Sequence, residues 1–156
     1  PQLPASITVD SLGSWTDFVG DEYKAFSGTA VYTTTINKVP VADVIKLDLG
    51  SVAENASVYL NGDYIGTVID SPYQLYIPAE KFKGQDELVV RVANSMANRI
   101  AYMDKKGVDW KIFYNVNMSA RKKENVKNGI FDASDWEPKS SGLLGPVTLT
   151  PAMVKQ

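Results

Sequence analysis

NASVYLNGDYIGTV, residues 55–68, consists of two alternating runs folded over Asn61-Gly62, and its reading decides the architecture. Asn-Gly readily takes the pair of left-handed conformations that a tight type I′ turn demands. With that dipeptide as the loop, Leu60 falls opposite Asp63, Tyr59 opposite Tyr64 and Val58 opposite Ile65. Ala56, Val58, Leu60 and Ile65 then share an apolar face, while Tyr59 and Tyr64 pair on the other. The apolar face is core. The tyrosine face is either a stacking platform or a cross-strand pair that steadies the hairpin, and the balance of the two readings favours the wall over the ligand surface.

Working outward, the segments 7–9, 28–36, 44–49, 73–77, 88–93 and 146–149 also have strand character. Ala30, Tyr32, Thr34 and Ile36 share one face of their segment, as do Ile45, Leu47 and Leu49, and Leu88, Val90 and Val92. Period-two alternation calls for sheets with one buried side. Breakers separate the runs at Val39-Pro40, Gly50-Ser51, Ser71-Pro72 and Lys83-Gly84. About eight short strands with turns between them predict an all-β antiparallel sandwich. Trp15, Tyr23 and Phe26 are expected to pack against the edge of its core.

The chain has 156 residues, 44% hydrophobic and 22% charged, the length of one ordinary domain with enough apolar surface for a core. A single β-sandwich domain over residues 1–156 is therefore expected. The net charge of −2 supplies no broad positive field, which argues against nucleic acid as a partner. With no Cys and no His, thiolate nucleophiles, imidazole zinc ligands and the Ser-His-Asp triad drop out. No apolar run approaches the roughly 20 residues of a membrane helix, so no membrane partner is expected. Starting at Pro1 without Met, the chain reads as a processed or excised piece of a longer protein.

The span 94–141 stands apart, with little alternation and with Arg99, Tyr102, Asp104, Asp109, Trp110, Tyr114, Arg121 and Trp136 along it. It reads as one long aromatic-rich loop before the last strand, ordered and folded over the sheets, since connections of that length are usually functional or disordered and aromatics oppose disorder. Within it SARKKENVKNG, residues 119–129, predicts a short helix ended by Gly129, with Arg121-Lys122-Lys123-Glu124 as its solvated face.

Four pieces in this order carry a resemblance: FSGTAVYTTTI (26–36), LDLGSVAENASVYLNGDYIGTV (47–68), DELVVRVANSMANRI (86–100) and SSGLLGPVTL (140–149). Together they resemble the galactose-binding-like jelly-roll module of glycoside hydrolase family 2, and more closely the terminal β-sandwich of the family 106 α-L-rhamnosidases. The resemblance implies a non-catalytic accessory sandwich attached to the catalytic domain of a polysaccharide-degrading enzyme, in the periplasm or outside the cell. It implies too that the VYLNGDYIG strands are scaffold, and that the span before GLLGPV is where such modules lean toward the active site. Sandwiches of this type often hold a structural calcium, for which Asp17, Asp21 and Glu22 are near enough in sequence to be considered. No other cofactor is expected.

Sugar recognition combines flat aromatic faces with amide, carboxylate and guanidinium groups. Tyr102 and Trp110 can supply the platform, and Asn94, Asn98, Arg99, Asp104 and Asp109 the polar partners, for an oligosaccharide or polysaccharide. The competing reading is that Trp110, Tyr114 and Trp136 cap one end of the sandwich and that Arg99 pairs with a neighbouring carboxylate. Asp104 with Asp109, or Asp132 with Asp135 and Glu137, would be the acid pairs of a glycosidase, but nothing in the sequence holds either pair in a cleft. Three roles thus stay open: weak carbohydrate binding, bracing of a catalytic domain, and, least favoured, catalysis by the chain itself.

Overall fold

A computed structural model of the chain describes residues 2–112 and 122–152. In chain order the strands are β1 (Thr29–Ile36), β2 (Val44–Asp48), β3 (Ser51–Ala53), β4 (Asn55–Leu60), β5 (Asp63–Val68), β6 (Gln74–Pro78), β7 (Asp86–Ala93), β8 (Val126–Lys127), β9 (Ile130–Phe131), β10 (Gly142–Gly145) and β11 (Thr148–Pro151). Two helices, α1 (Asp21–Lys24) and α2 (Ala97–Lys105), accompany them. The chain divides into two compact units. One comprises Ile7–Trp15, Gly28–Asn94 and Ser140–Gln156; the other comprises Pro1–Ser6, Thr16–Ser27 and Ser95–Lys139.

The first unit is the antiparallel sandwich. Its larger sheet has the order β1-β7-β4-β5, facing a sheet of order β11-β2-β6 and a short pair β10-β3. Alternation places Ala56, Val58 and Leu60 of β4 and Leu88, Val90 and Val92 of β7 in one core with Leu47, Leu49, Ile77 and Leu143. Each of these residues is buried, which is why a one-residue slip of either sheet would turn its apolar side chains to water.

The hairpin closes as its sequence requires. Asn61 and Gly62 both take positive φ, 52° and 86°, and Leu60 meets Asp63 and Tyr59 meets Tyr64. The next expected pair does not form. Val58 faces Gly66, so Ile65 is the extra residue of a β-bulge. Gly66 fits there because Leu75 of β6 packs over it: a Cβ at position 66 would stand 2.9 Å from Leu75 Cδ2. Ile65 nevertheless packs against the core.

One expectation about strands is corrected. Residues 7–9 form none, and Ile7 and Val9 are exposed, since so short an apolar run has the composition of a strand without the length to secure a ladder. The expected break at Gly50-Ser51 is present: β2 ends at Asp48, Gly50 is left-handed, and β3 begins at Ser51 in another sheet, paired with β10. Trp15 is buried, as expected, and its backbone N–H donates to the Ser141 carbonyl. Tyr32 of β1 reaches across the unit to accept the Leu143 N–H at 3.1 Å, and burial pushes its phenol above the usual range against the opposing pull of that bond.

The second unit accounts for most of the span read as one long loop. It carries the nine-residue helix α2 and the small hairpin β8-β9, in which Val126 faces Phe131 and Lys127 faces Ile130. Its apolar centre is Phe131 and Ala133, with Ile100, Trp110 and Trp136 packed around them. Trp136 meets Phe131 edge to face at 5.8 Å and donates its indole N–H to Asn125. Tyr23 and Phe18 make a similar T-shaped pair in this unit, at 5.5 Å.

The expected helix ending at Gly129 is replaced by a 3-10 turn at Lys123–Asn125 and the β8-β9 hairpin. Asn128 and Gly129 have φ of 51° and 79°, the same left-handed pair that turns the hairpin at 61–62. A glycine after a helix and a glycine in a type I′ turn satisfy the same positive-φ demand, and it is the preceding Asn that separates the two. Residues 119–121, including Arg121, and Tyr114 lie outside the described residues.

Candidate functional site

Asp104, near the end of α2, is the hub of the second unit. Its side chain is 1% exposed and accepts three hydrogen bonds: from Trp110 Nε1 at 2.7 Å, from Lys111 Nζ at 2.7 Å and from the Ala133 N–H at 2.8 Å. The Lys111 ammonium also lies 5.3 Å from the centre of the Trp110 ring. A carboxylate so placed neutralises a half-buried lysine and joins α2 to the loop that follows β9, and its lone pairs are committed to the protein.

Asn98 is likewise committed. It is buried, and its amide clamps the Lys139 backbone from both sides, donating to the carbonyl at 2.8 Å and accepting from the N–H at 2.8 Å. Asn94 belongs to the sandwich unit, where it accepts the Gly28 N–H at 3.0 Å and donates to Ser141 Oγ at 3.0 Å. Arg99 and Tyr102, on α2, are partly exposed, with the Lys106 ammonium 5.5 Å from the Tyr102 ring. Asp109 is exposed. Six of the seven candidate sugar contacts thus stand in one unit and Asn94 in the other.

The second carboxylate group is held by a lysine. Lys127 Nζ lies 3.3 Å from Asp132 and 3.0 Å from Asp135. The Ser134 hydroxyl, reinforced by the Ser134 N–H and Lys127 and opposed by burial, holds the Asp132 carboxyl below the usual carboxylate range. A glycosidase general acid needs the opposite displacement. Among the described residues no three His, Cys, Asp or Glu side chains converge as metal ligands. Asp21 instead pairs with Lys106 at 3.3 Å.

The outer face of the larger sheet holds a feature that the candidate residues omit. Register sets Arg91 beside Ser57 and Ser57 beside Thr67, and in the next row Val89 beside Tyr59 and Tyr59 beside Tyr64. The Tyr59 and Tyr64 rings are 5.5 Å apart and tilted by 59°. The Arg91 guanidinium carbon lies 4.9 Å from the Tyr59 ring centre. Thr67 Oγ1 is 2.7 Å from Ser57 Oγ and 2.9 Å from Tyr64 Oη. Alternation along 86–93 was enough to place Arg91 on this face once Tyr59 was known to lie outward.

No protein-family model matches the chain. A protein of Formosa agariphila assigned as a beta-glucuronidase is 34% identical over 92% of the chain, which spans 14% of that protein. Among solved structures, a rhamnosidase from Novosphingobium sp. PP1Y matches 94% of the chain with a TM-score of 0.75 and 30% identity, over 13% of its own length. The chain spans about one seventh of the relatives it matches. In sequence and in fold, it is therefore a small β-sandwich module of the kind built into large glycoside hydrolases, corresponding to part of such an enzyme and not to the whole.

Proposed function

We propose that this chain is an accessory module of a polysaccharide-degrading glycoside hydrolase, an α-L-rhamnosidase or a β-glucuronidase, which binds carbohydrate weakly or braces the catalytic domain. The observation that carries this reading is the match of nearly the whole chain to a short segment of the Novosphingobium rhamnosidase. A polymer too large for import places the enzyme in the periplasm or outside the cell. The purely structural alternative draws support from Asn94, Asn98, Asp104 and Trp110, whose polar groups are used within the protein.

Deleting the segment from the parent enzyme tests the proposal. Loss of activity on polysaccharide with retention on a small aryl glycoside indicates a binding module. Loss on both, with a lowered melting temperature, indicates a brace. An enzyme unchanged on both substrates and in stability overturns the accessory role.

A further inference from the structure

We infer that the outer face of the sheet β1-β7-β4-β5, centred on Tyr59, Tyr64 and Arg91, docks a carboxylate-bearing saccharide. The inference rests on the carbohydrate-binding reading above and assigns its site and ligand class.

Strands about 4.8 Å apart put the Arg91, Ser57 and Thr67 row and the Val89, Tyr59 and Tyr64 row within a patch about 10 Å across. That is the footprint of one or two pyranose rings. Tyr64 is 59% exposed, so a ring face stays open to the C–H side of a sugar. The three hydroxyls of Ser57, Thr67 and Tyr64 are linked by two hydrogen bonds, which use two of their three O–H donors. One O–H is left to donate and several lone pairs to accept, the complement of a sugar's vicinal hydroxyls.

Charge selects the ligand class. Arg91 is exposed, stacked against Tyr59, and no carboxylate among the described residues pairs with it. The stack fixes the guanidinium while leaving N–H groups to bind a carboxylate in a fork. Glu87, the acidic residue of β7 on this face, lies one row beyond Val89 and Tyr59, about 13 Å from Arg91 along the strand, so the cationic end of the patch is the row of Arg91, Ser57 and Thr67. A protein interface of this size would have an apolar centre, whereas hydroxyls and a guanidinium occupy this one.

The 156-residue chain is titrated with tetragalacturonate and with its neutral counterpart galactotetraose, by calorimetry and amide chemical-shift mapping. Binding of tetragalacturonate at about millimolar strength is expected to shift amides of β4, β5 and β7. Tyr64→Ala lowers affinity for both sugars roughly tenfold. Arg91→Gln, an exposed change that leaves the core intact, lowers affinity for tetragalacturonate roughly fivefold and for galactotetraose by less than about twofold. Tyr76→Ala, on an exposed aromatic of the other sheet, leaves both unchanged.

Equal loss of both sugars in Arg91→Gln overturns the choice of an acidic ligand. Shifts confined to Arg99 and Tyr102 overturn the sheet-face site while carbohydrate binding by the chain stands. If neither sugar binds, this inference is overturned, and the deletion experiment then decides the accessory role by itself.

Discussion

Asn61 and Asp86 hold each other at the end of the large sheet: Asn61 Nδ2 donates to Asp86 Oδ1 at 2.7 Å, while Asn61 Oδ1 accepts the N–H of Glu87 at 3.0 Å. The residue that turns the hairpin is thus also the residue that seats the start of β7. Asp86 is 1% exposed and receives two further bonds, from the backbone N–H groups of Lys83 and Gly84. Asp86→Ala leaves three donors facing an apolar methyl and is expected to cost about 3 kcal/mol. A loss of unfolding free energy, read from urea denaturation, of less than a third of that would show these bonds to be dispensable.

Acid should act on the same carboxylate. Burial works to raise the Asp86 carboxyl, but the Asn61 side chain, the Lys83 and Gly84 N–H groups and the Lys83 charge outweigh it and hold the group below its ordinary value. A carboxyl depressed in the folded state contributes stability that is complete above the unfolded value of about 3.9 and is lost as pH falls through the lower folded value. Asp86→Asn cannot titrate there. The stability gap between wild type and Asp86→Asn is therefore constant from neutral pH to about pH 5 and narrows below about pH 4. A gap that stays constant to pH 2 would contradict the assignment; urea unfolding at stepped pH measures it.

Much of this fold was legible because the sandwich is written in period two. Ala56, Val58, Leu60, Leu88, Val90 and Val92 are core by alternation alone, and Asn61-Gly62 set the register through Tyr59 and Tyr64. The bulge at Ile65 was not legible, since its cause is the approach of Leu75 from another strand. Nor was the second unit. Asn128-Gly129 turns a hairpin with two residues on each side, too short to alternate visibly among the surrounding charges. The candidate sugar contacts were chosen by chemical type, and type does not tell whether Asp104 faces solvent or, as found, Trp110, Lys111 and Ala133. Arg91 lay in plain alternation but signals nothing until it is seen over Tyr59.

Two left-handed glycines should respond differently to the same substitution. At Gly62, with φ +86°, a Cβ meets nothing within 4 Å, so Gly62→Ala costs only the backbone strain of about 1–2 kcal/mol. At Gly50, with φ +66°, a Cβ would stand 2.5 Å from the carbonyl carbon of Gly145 and 2.6 Å from the Pro146 oxygen. Those are backbone atoms that cannot rotate aside, so Gly50→Ala must separate β3 from β10 and should cost more than about 3 kcal/mol. Thermal unfolding of the two variants side by side checks the order, and equal losses would show that the close approach at Gly50 is relieved cheaply.

In the second unit the decisive pair is Asp104 with Trp110. Asp104→Asn keeps the shape of the side chain but presents an NH₂ group to a site already filled by three donors, so it should fail to rescue the contact and cost about 3 kcal/mol. Trp110→Phe removes one of those donors and leaves the carboxylate satisfied by Lys111 and Ala133, at a cost of about 1–2 kcal/mol. Because both variants break the same bond, their effects should not add: the double variant is expected to fall short of the sum by about 1 kcal/mol. Asp109→Ala, on an exposed side chain, should stay within about 0.5 kcal/mol of wild type. Chemical unfolding of the four variants, with exchange of the Ala133 amide followed in parallel, reads the cycle. Additive losses, or an Ala133 amide no less protected in Asp104→Asn, would mean that this buried carboxylate does not hold α2 to the loop that follows β9.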